Sequence, residues 1–513
     1  MPGAGSTGRC GVFRQAVVDK PQESSDSGAQ PASETNSRVA RNTIVLVTLR
    51  VLMPAMAVSL VLLLSRVLGV EGMGRYTLAF SFLYMFNAIA PLGLSAIITR
   101  DGARDRNNLE SLLANATSLG ILSSLIMTLC MAGLTTLLNY DDETGMAILI
   151  LSLAILPCTV GAFQDSAFVA LERLDYLALG TVAEYILKVG GGIALLLSGY
   201  GLDAVLIVAV LGRVLGCIIS AGFLRKLNIR TRLGLDNEST RNLLRLAPTF
   251  IFIGIFATLY WRIDIFMLSK LQPVEDVGYY GAAWRMLELA MVVPQSLCLS
   301  LYPQISSAAV NNLDQLHRIG GGAIRYLLAL SLPAAIGITL LAGPLLELLY
   351  GTEFSAASDT LSVLILTLIP YGVVRYHAYV LLGANQQRID LALNIVMSII
   401  NIMLNLALIP AFGHLGAAIA TFISICIYGL LQYGYLVRKL PGRAAPMTLP
   451  PVVLVACTLM ALCVWLMRDL NLMLVILSAA LVYGGSLLAG DFFSEAELKV
   501  VGIHRLRQRF GRS

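Results

Sequence analysis

The chain has 513 residues, of which 57% are apolar and 13% are charged, and its mean hydropathy is +0.77. Soluble proteins carry about 25% charged residues, so this composition excludes an ordinary soluble enzyme and a disordered scaffold. A membrane-spanning helix needs roughly 20 apolar residues, and the chain is long enough for a bundle of many. Its eight cysteines include no C-x-x-C motif, and its four histidines are scattered, so no disulfide framework, metal site or other cofactor is indicated.

The first 42 residues differ from the rest of the chain. They are rich in Ser, Gly, Pro and Gln and contain no apolar run, which is typical of disorder. A secretory signal would place its apolar core within about the first 15–30 residues, and none is found there. We therefore expect a disordered cytoplasmic tail over 1–42, or a start codon assigned too early.

Apolar segments follow one another from there to residue 490 and predict an all-α polytopic membrane protein. We count fourteen spans, although short turns such as Pro410–Gly413 also allow twelve or thirteen. The predicted spans are 43–64, 74–98, 112–137, 146–170, 176–198, 202–224, 247–268, 279–302, 322–342, 358–382, 389–409, 413–436, 449–467 and 470–490.

The distribution of basic residues predicts the orientation. With the N-terminus inside, the inner segments hold 25 Lys and Arg residues, whereas the outer loops hold four, namely Arg66, Arg75, Lys270 and Arg468. This bias follows the positive-inside rule and places both termini in the cytoplasm. The net charge of +5 thus reflects topology and requires no nucleic-acid partner. The basic C-terminal tail is also suited to contact with anionic lipid.

A segment of the sequence repeats at an offset of 204 residues. Residues 64–76 (LSRVLGVEGMGRY) align with residues 268–280 (LSKLQPVEDVGYY), so that Leu, Ser, Val, Glu, Gly and Tyr coincide. A weaker echo pairs RLDYLAL at 173–179 with RIDLAL at 388–393. Because six predicted spans separate the copies, both halves cross the membrane in the same direction. Parallel repeats of this kind are a known transporter architecture, with substrate held between the repeats.

The spans and the repeat together predict the domain organisation. We expect two parallel six-helix lobes around a central cationic cavity, followed by two extra C-terminal helices. The boundaries are a tail at 1–42, the first lobe at 43–224, a basic cytoplasmic linker at 225–246, the second lobe at 247–436, the extra helices at 437–490 and a basic cytoplasmic tail at 491–513.

No motif of an enzyme is visible in the sequence. It contains no G-x-x-x-x-G-K-[ST], no G-x-S-x-G and no H-E-x-x-H, and no large outer loop that would suit a sugar polymerase. We therefore predict that the protein is not an enzyme and has no catalytic residues.

Charged residues inside the predicted spans are informative, because each is costly in hydrocarbon unless it faces a cavity or a partner. Glu184 and Lys188 are four residues apart and Arg285 and Glu288 three apart, so each pair is expected to share a helix face. The acids in the spans are Asp165, Glu184, Asp264 and Glu288, and the bases are Arg50, Lys188, Arg213, Arg262, Arg285, Arg325 and Arg375.

The excess of bases over acids predicts an anionic ligand. Guanidinium groups match phosphate oxygens, and aromatic faces suit sugar rings, so we expect a phosphorylated, hydroxyl-rich substrate. Asp264 and Glu288 are candidates for coupling transport to a proton or a sodium ion. The candidate substrate-binding residues are Arg50, Lys188, Arg213, Arg262, Arg285 and Arg375.

Two stretches resemble a known family. The sequence LSRVLGVEGMGRY after the first span, and RIDIFMLSKL with VGYYGAAWR at 262–285, are similar to the polysaccharide (O-antigen type) flippases of the multidrug/oligosaccharidyl-lipid/polysaccharide exporter superfamily. The resemblance covers roughly residues 40–490. It implies a location in the cytoplasmic (inner) membrane of a bacterial cell, alternating access, and a polyprenyl-pyrophosphate-linked oligosaccharide as substrate, for export of a surface polysaccharide. It also implies membrane lipid, a polysaccharide polymerase and chain-length machinery as partners.

Two alternatives within the same superfamily remain open. A peptidoglycan-precursor flippase would differ only in its cargo, and its last two helices, which bind the lipid tail, would match 449–490 by position. A multidrug antiporter of cations would require acids in its spans, whereas here bases outnumber acids and the first span carries Arg50 without any acid.

Overall fold

The structure, a computed structural model, describes residues 32–106, 108–229, 233–234, 261–445 and 449–493, with side chains from Leu52 onwards. Every regular element in this part of the chain is helical, which confirms the all-α class. The elements are α1 (Ala32–Ile89), α2 (Leu94–Arg104), α3 (Leu109–Leu137), α4 (Asp142–Ser152), α5 (Ile155–Ala170), α6 (Leu174–Tyr185), a π-helix (Ile186–Gly191), α7 (Gly192–Leu197), α8 (Leu202–Lys226), α9 (261–271), α10 (Val274–Asn311), α11 (Leu313–Leu340), α12 (Ala342–Tyr350), a 3₁₀-helix (Thr352–Ala357), α13 (Ser358–Leu366), α14 (Leu368–Gly383), α15 (Gln387–Lys439), α16 (Pro451–Leu466) and α17 (Leu472–Ala489).

The helices reproduce the predicted spans. Ten helical segments in the described ranges are long and apolar enough to cross a membrane. Two of them, in α1 and α15, are each long enough to cross twice, and both are kinked at a glycine of positive φ, Gly69 and Gly413. If each kinked helix is counted as two crossings, and if α4–α5, α6–α7 and α13–α14 are each counted as one, a helix corresponds to each of thirteen spans. Of the remaining predicted span, 247–268, residues 247–260 lie outside the described residues, and 261–268 belong to α9.

Several boundaries differ from the prediction. Helix α1 begins at Ala32, inside the segment predicted as a tail, because a nucleated helix extends easily into its flanks. The predicted span 74–98 is broken after Ile89, where Leu92 and Gly93 adopt positive φ and a second helix follows. Residues 1–31, most of the predicted linker 225–246 and all but the first three residues of the predicted tail 491–513 lie outside the described residues.

The two copies of the sequence repeat occupy equivalent places in the fold. In the first copy the helix kinks at Gly69, and in the second the break falls at the matching residue, Pro273, between α9 and α10. A glycine can take the left-handed conformation, whereas a proline lacks the N–H that continues a helix, so two different residues end the helix at one position.

The repeats also contact each other reciprocally where α1 and α10 cross. A Cβ at Gly74 would overlap the backbone carbonyl of Val274, and a Cβ at Gly278 would overlap that of Val70. Gly74 corresponds to Gly278, and Val70 to Val274, at the same offset of 204. The two halves are therefore related by an approximate two-fold axis that passes through this crossing, and small residues allow the backbones to approach closely.

The outer faces of the bundle are apolar. Leu129, Leu137 and Leu481 expose 73%, 75% and 67% of their surface, respectively, and many other leucines and valines are similarly exposed. Such a surface would be unfavourable in water but matches lipid chains, so it is consistent with a multi-pass membrane protein.

Candidate functional site

Three predicted bases lie together between the two halves. Arg285 on α10 donates from Nη1 to Glu288 Oε2 at 2.7 Å, as the three-residue spacing predicts. Arg262 on α9 approaches the other oxygen of the same carboxylate, with Nη2 3.8 Å from Oε1. One carboxylate is thus shared by two guanidinium groups, which leaves an excess of positive charge at this point.

Aromatic rings connect these bases to Lys188 of the N-terminal half. The Lys188 Nζ lies 4.9 Å from the ring centre of Phe80 and 5.7 Å from that of Tyr185. Tyr84, one helical turn after Phe80, carries the Arg262 guanidinium 4.9 Å above its ring. Such cation–π contacts stabilise the bases without neutralising them. Lys188, Arg262, Arg285, Glu288 and Tyr84 form what we call the basic cluster.

Glu184 and Lys188 share a helix face, as their spacing predicts, but they do not form an ion pair. Both face α8, because a Cβ at Gly216 would lie 3.3 Å from the Glu184 Cβ and a Cβ at Gly212 would lie 3.3 Å from the Lys188 Cβ. The Glu184 Oε2 accepts from Arg213 Nη1 on α8 at 2.7 Å instead.

Arg213 lies in a second cluster, packed among helices of the N-terminal half. It contacts two carboxylates, Glu184 and, with Nη2 3.7 Å from Oδ2, Asp165. Gly161 makes room for the guanidinium, because a Cβ there would overlap Nη2. Arg213, Glu184 and Asp165 form what we call the paired cluster, in which acids outnumber bases.

The other predicted bases lie apart from the basic cluster or outside the described side chains. The guanidinium of Arg375 on α14 lies 5.4 Å from the ring centre of Tyr379, and its buried Nε has no hydrogen-bond partner among the described residues. The backbone of Arg50 belongs to α1, but its side chain lies outside the described residues.

Asp264 on α9 is buried in the C-terminal half, with 3% of its surface exposed. Asn405 donates from Nδ2 to its Oδ1 at 2.5 Å, and the hydroxyls of Thr421 and Tyr280 donate to its Oδ2 at 2.6 and 2.8 Å. Among the described residues, no base lies within ion-pair distance of this carboxylate. A buried carboxylate held only by neutral donors is costly unless it binds a proton or a cation.

Sequence reasoning missed two of these features. Tyr84, 42% exposed, was not singled out, although Tyr76, Phe80 and Tyr84 are spaced one turn apart on one helix face. Two of the three hydrogen-bond donors to Asp264, Asn405 and Thr421, lie about 140–160 residues away in sequence, on α15. Their signal was the presence of Asn401, Asn405 and Thr421 inside strongly apolar segments.

Two family models match more than half of the chain each. The model described as polysaccharide biosynthesis protein matches residues 39–309, and the model described as lipid II flippase MurJ matches residues 181–484. The two matches overlap in the middle of the chain, across the second copy of the repeat.

Two curated relatives come from Haloferax volcanii. The chain is 26% identical over 280 residues to the probable low-salt glycan biosynthesis flippase Agl15, covering 53% of this chain and 58% of that protein. It is 33% identical over 199 residues to the probable flippase AglR, covering 38% and 40%. The chain thus matches less than two thirds of the length of each.

Solved structures share the fold at lower identity. A structure of the lipid II flippase MurJ in an inward closed conformation superposes with a TM-score of 0.71 at 16% identity, covering 87% of this chain and 98% of that chain. An inward-facing multidrug resistance transporter of the MATE family gives a TM-score of 0.60 at 16% identity, covering 76% and 96%. At this identity the likeness establishes the fold alone.

Proposed function

We propose that this chain, which belongs to the polysaccharide biosynthesis protein family, is a flippase that moves a polyprenyl-pyrophosphate-linked oligosaccharide across the cytoplasmic membrane. The product would be a repeat unit for a surface polysaccharide. The observation that carries this proposal is the basic cluster, where Glu288 is shared between Arg262 and Arg285 while Lys188 is held by aromatic rings. A pyrophosphate would complete the charge balance of such a cluster.

The physical requirement for a flippase is to lower the cost of moving a polar head group through hydrocarbon. Without a protein, the pyrophosphate and every sugar hydroxyl would lose hydration in the bilayer core. A polar cleft between two lobes supplies replacement contacts while the polyprenyl chain stays in lipid. Rocking of the lobes, with boundaries near 43–224 and 247–436, would then open the cleft to the opposite leaflet. No covalent step is required.

Within the cleft we assign Arg262, Arg285 and Lys188 to the phosphate groups, and Tyr84 to the contact between phosphate and sugar. Arg50 and Arg375 remain proposed substrate contacts. For Arg213, which the sequence also predicts as a substrate contact, we propose a packing role instead, because the two carboxylates beside it satisfy its charge.

Asp264 is our proposed coupling residue. Its buried carboxylate accepts three hydrogen bonds from neutral groups, and a proton or a sodium ion would neutralise it. Glu288, the second candidate, already neutralises Arg285 and Arg262 in part, so we rank it below Asp264.

The orientation and the partners belong to the same proposal. The positive-inside bias supports a cytoplasmic location for both termini. A polymerase and chain-length machinery would act on the product outside. The match to the lipid II flippase model over 181–484 supports a second candidate function, transport of a peptidoglycan lipid precursor.

The test is a deletion strain in which polyprenyl-linked sugars are radiolabelled and counted together with surface polysaccharide. We expect lipid-linked oligosaccharide to accumulate inside while surface glycan is lost, and the wild-type gene, but not Arg285→Ala, to reverse both effects. Accumulation of peptidoglycan precursor instead would support the second candidate. Unchanged glycan together with new sensitivity to cationic dyes would contradict both and indicate drug export.

A further inference from the structure

The repeated segment has a role that the binding site does not explain. Its first copy places Ser65 and Arg66 against the end of α12 in the opposite half. The Ser65 hydroxyl donates to Leu62 O in its own helix at 2.9 Å and lies 3.4 Å from the carbonyl oxygen of Tyr350. Arg66 donates from Nε to Leu349 O at 3.3 Å and from Nη2 to Leu348 O. These carbonyls belong to the last turn of a helix, where no N–H within the helix is available to them.

The second copy makes the matching contacts in the other direction. Ser269 and Lys270 correspond to Ser65 and Arg66 at the offset of 204. The Ser269 hydroxyl lies 2.9 Å from the Tyr140 hydroxyl, and the Lys270 Nζ donates to Leu138 O, at the C-terminal end of α3, at 2.6 Å. In each copy, therefore, a serine lies at the contact with the other half, and the base next to it donates across and caps the C-terminus of a helix there.

This position is electrostatically favourable for a base. The C-terminus of a helix carries a partial negative charge, and a cation that hydrogen-bonds its last carbonyls is stabilised by it. The reciprocal crossing of Gly74 and Gly278 lies between the two caps. The same repeated segment thus supplies both the close backbone approach and the polar contacts on either side of it.

We propose that the two copies form one latch, which holds the halves together at this end of the molecule and opens in every transport cycle. The outer latch comprises Ser65, Arg66, Gly74, Ser269, Lys270 and Gly278. By the positive-inside bias this end faces outward. The inference rests on the proposed function in so far as opening this end would release the substrate outside.

The chemistry of the contacts explains why such a latch is reversible. When the halves separate, the carbonyls of α12 and α3 and the two bases lie at the edge of the membrane, where water replaces the lost hydrogen bonds. The net free energy of a hydrogen bond exchanged with water is small. The crossing at Gly74 and Gly278 adds contact area only when the halves are closed. The closed state is therefore well packed but can still open.

The two sides of the outer latch are unequal. Arg66 donates to two carbonyls, whereas Lys270 donates to one and borders a pocket of about 250 Å³ that is also lined by Tyr140, Asp141 and Thr144. A planar guanidinium holds two acceptors at a fixed geometry, which an ammonium group does not. We therefore expect neutralisation of Arg66 to open the latch more than neutralisation of Lys270.

A disulfide across the crossing tests whether the latch must open. A Cβ at Gly281 would lie 3.1 Å from the Thr77 Cβ, close to the separation of about 3.8 Å found in disulfides. In a background without the native cysteines, Thr77→Cys with Gly281→Cys should cross-link under oxidation. Transport should fall at least tenfold and return after reduction, while Thr77→Cys alone stays active. Complete cross-linking with undiminished transport, or no cross-link at all, would overturn the proposal.

A second experiment measures opening of the outer latch by chemical labelling, without a transport assay. Thr77→Cys alone is labelled with a membrane-impermeant maleimide from the outer side of intact cells. Adding Arg66→Gln and Lys270→Gln together should raise the labelling rate several-fold, with Arg66→Gln alone intermediate and Arg66→Lys between Arg66→Gln and the parent, because an ammonium group keeps the charge but not the second hydrogen bond. Equal rates in all variants would contradict the latch.

The two proposals can fail separately. If labelling and cross-linking respond as expected but the deletion strain retains its surface glycan, the latch stands and the proposed substrate is wrong. If the deletion strain loses its glycan but the labelling rates do not change, the flippase stands and the latch is wrong.

Discussion

Arg213 and Arg285 are both interior arginines of membrane helices, yet their surroundings have opposite charge balance. Arg213 contacts two carboxylates, with Glu184 at 2.7 Å and Asp165 at 3.7 Å. Arg285 contacts one carboxylate, Glu288, and shares it with Arg262. The positive charge of an arginine is therefore more than balanced by carboxylates in one half of the molecule and only partly balanced in the other.

The difference shows that a charge inside a span indicates function only after its partners are counted. Removing one member of a buried ion pair leaves the other uncompensated, so the paired cluster is expected to matter for stability. In the basic cluster the excess positive charge is available to an anion that arrives from outside. The predictions that follow test this division of roles.

The largest effect is expected in the basic cluster. Replacing Arg285 or Arg262 with Ala removes a charged partner of the pyrophosphate, and a hydrogen bond to a charged group contributes about 1.5–3 kcal/mol, or roughly ten- to 100-fold in rate. Surface glycan should be lost while the amount of protein in the membrane stays unchanged. Normal glycan in both variants would contradict the assignment of this cluster to substrate.

The second largest effect is expected when Asp264, the proposed coupling residue, is replaced. Asp264→Asn keeps the size of the side chain but cannot bind a proton or a cation as a carboxylate does. We expect transport to become independent of the ion gradient and to slow by about tenfold, consistent with the loss of about one charged hydrogen-bonded contact. The measurement is transport in vesicles with and without imposed proton or sodium gradients. Asn405→Asp serves as the matched control, because it adds a second acid at the same place.

The paired cluster should respond in stability instead of transport. Arg213→Met leaves Glu184 and Asp165 without their base, which should lower the free energy of unfolding by about 3 kcal/mol. Thermal unfolding in detergent would detect this loss, and the double variant Arg213→Met with Glu184→Met should recover part of it. If Arg213→Met is fully stable but inactive, Arg213 belongs with the substrate-binding residues after all.

The smallest effect is expected outside both clusters. Deleting residues 1–31, which precede α1, should leave transport and membrane insertion unchanged, because they contain no apolar run that could span the membrane. Surface glycan in the complemented deletion strain is the measurement. A loss of glycan with normal protein levels would show that the tail takes part in the cycle.

Much of the fold was accessible from sequence because each span is encoded locally. A run of about 20 apolar residues can satisfy its own backbone only as a helix in hydrocarbon, so hydropathy predicted the segments without tertiary information. The repeat at offset 204 likewise predicted equivalence of the two halves. Boundaries such as the break after Ile89 were wrong because they depend on single residues, here Leu92 and Gly93, in a positive-φ conformation.

Charge pairing was only partly accessible. The pair Arg285–Glu288 is confirmed, because three residues on a regular helix share a face. Glu184 and Lys188 do share a face towards α8, but they form no ion pair, because Arg213 on α8 binds the Glu184 carboxylate instead. The neutral donors around Asp264 come from distant helices, whose packing no local pattern specifies.

The sequence by itself determined that the chain is a repeated bundle of membrane helices with an excess of basic residues, since hydropathy, charge bias and internal similarity are properties of the residues in order. Only the tertiary structure decided which bases are neutralised and which remain available. That depends on distances of a few ångströms between helices far apart in the chain. The same is true of the outer latch, because a repeat in sequence becomes a reciprocal contact only when the two halves meet about one axis.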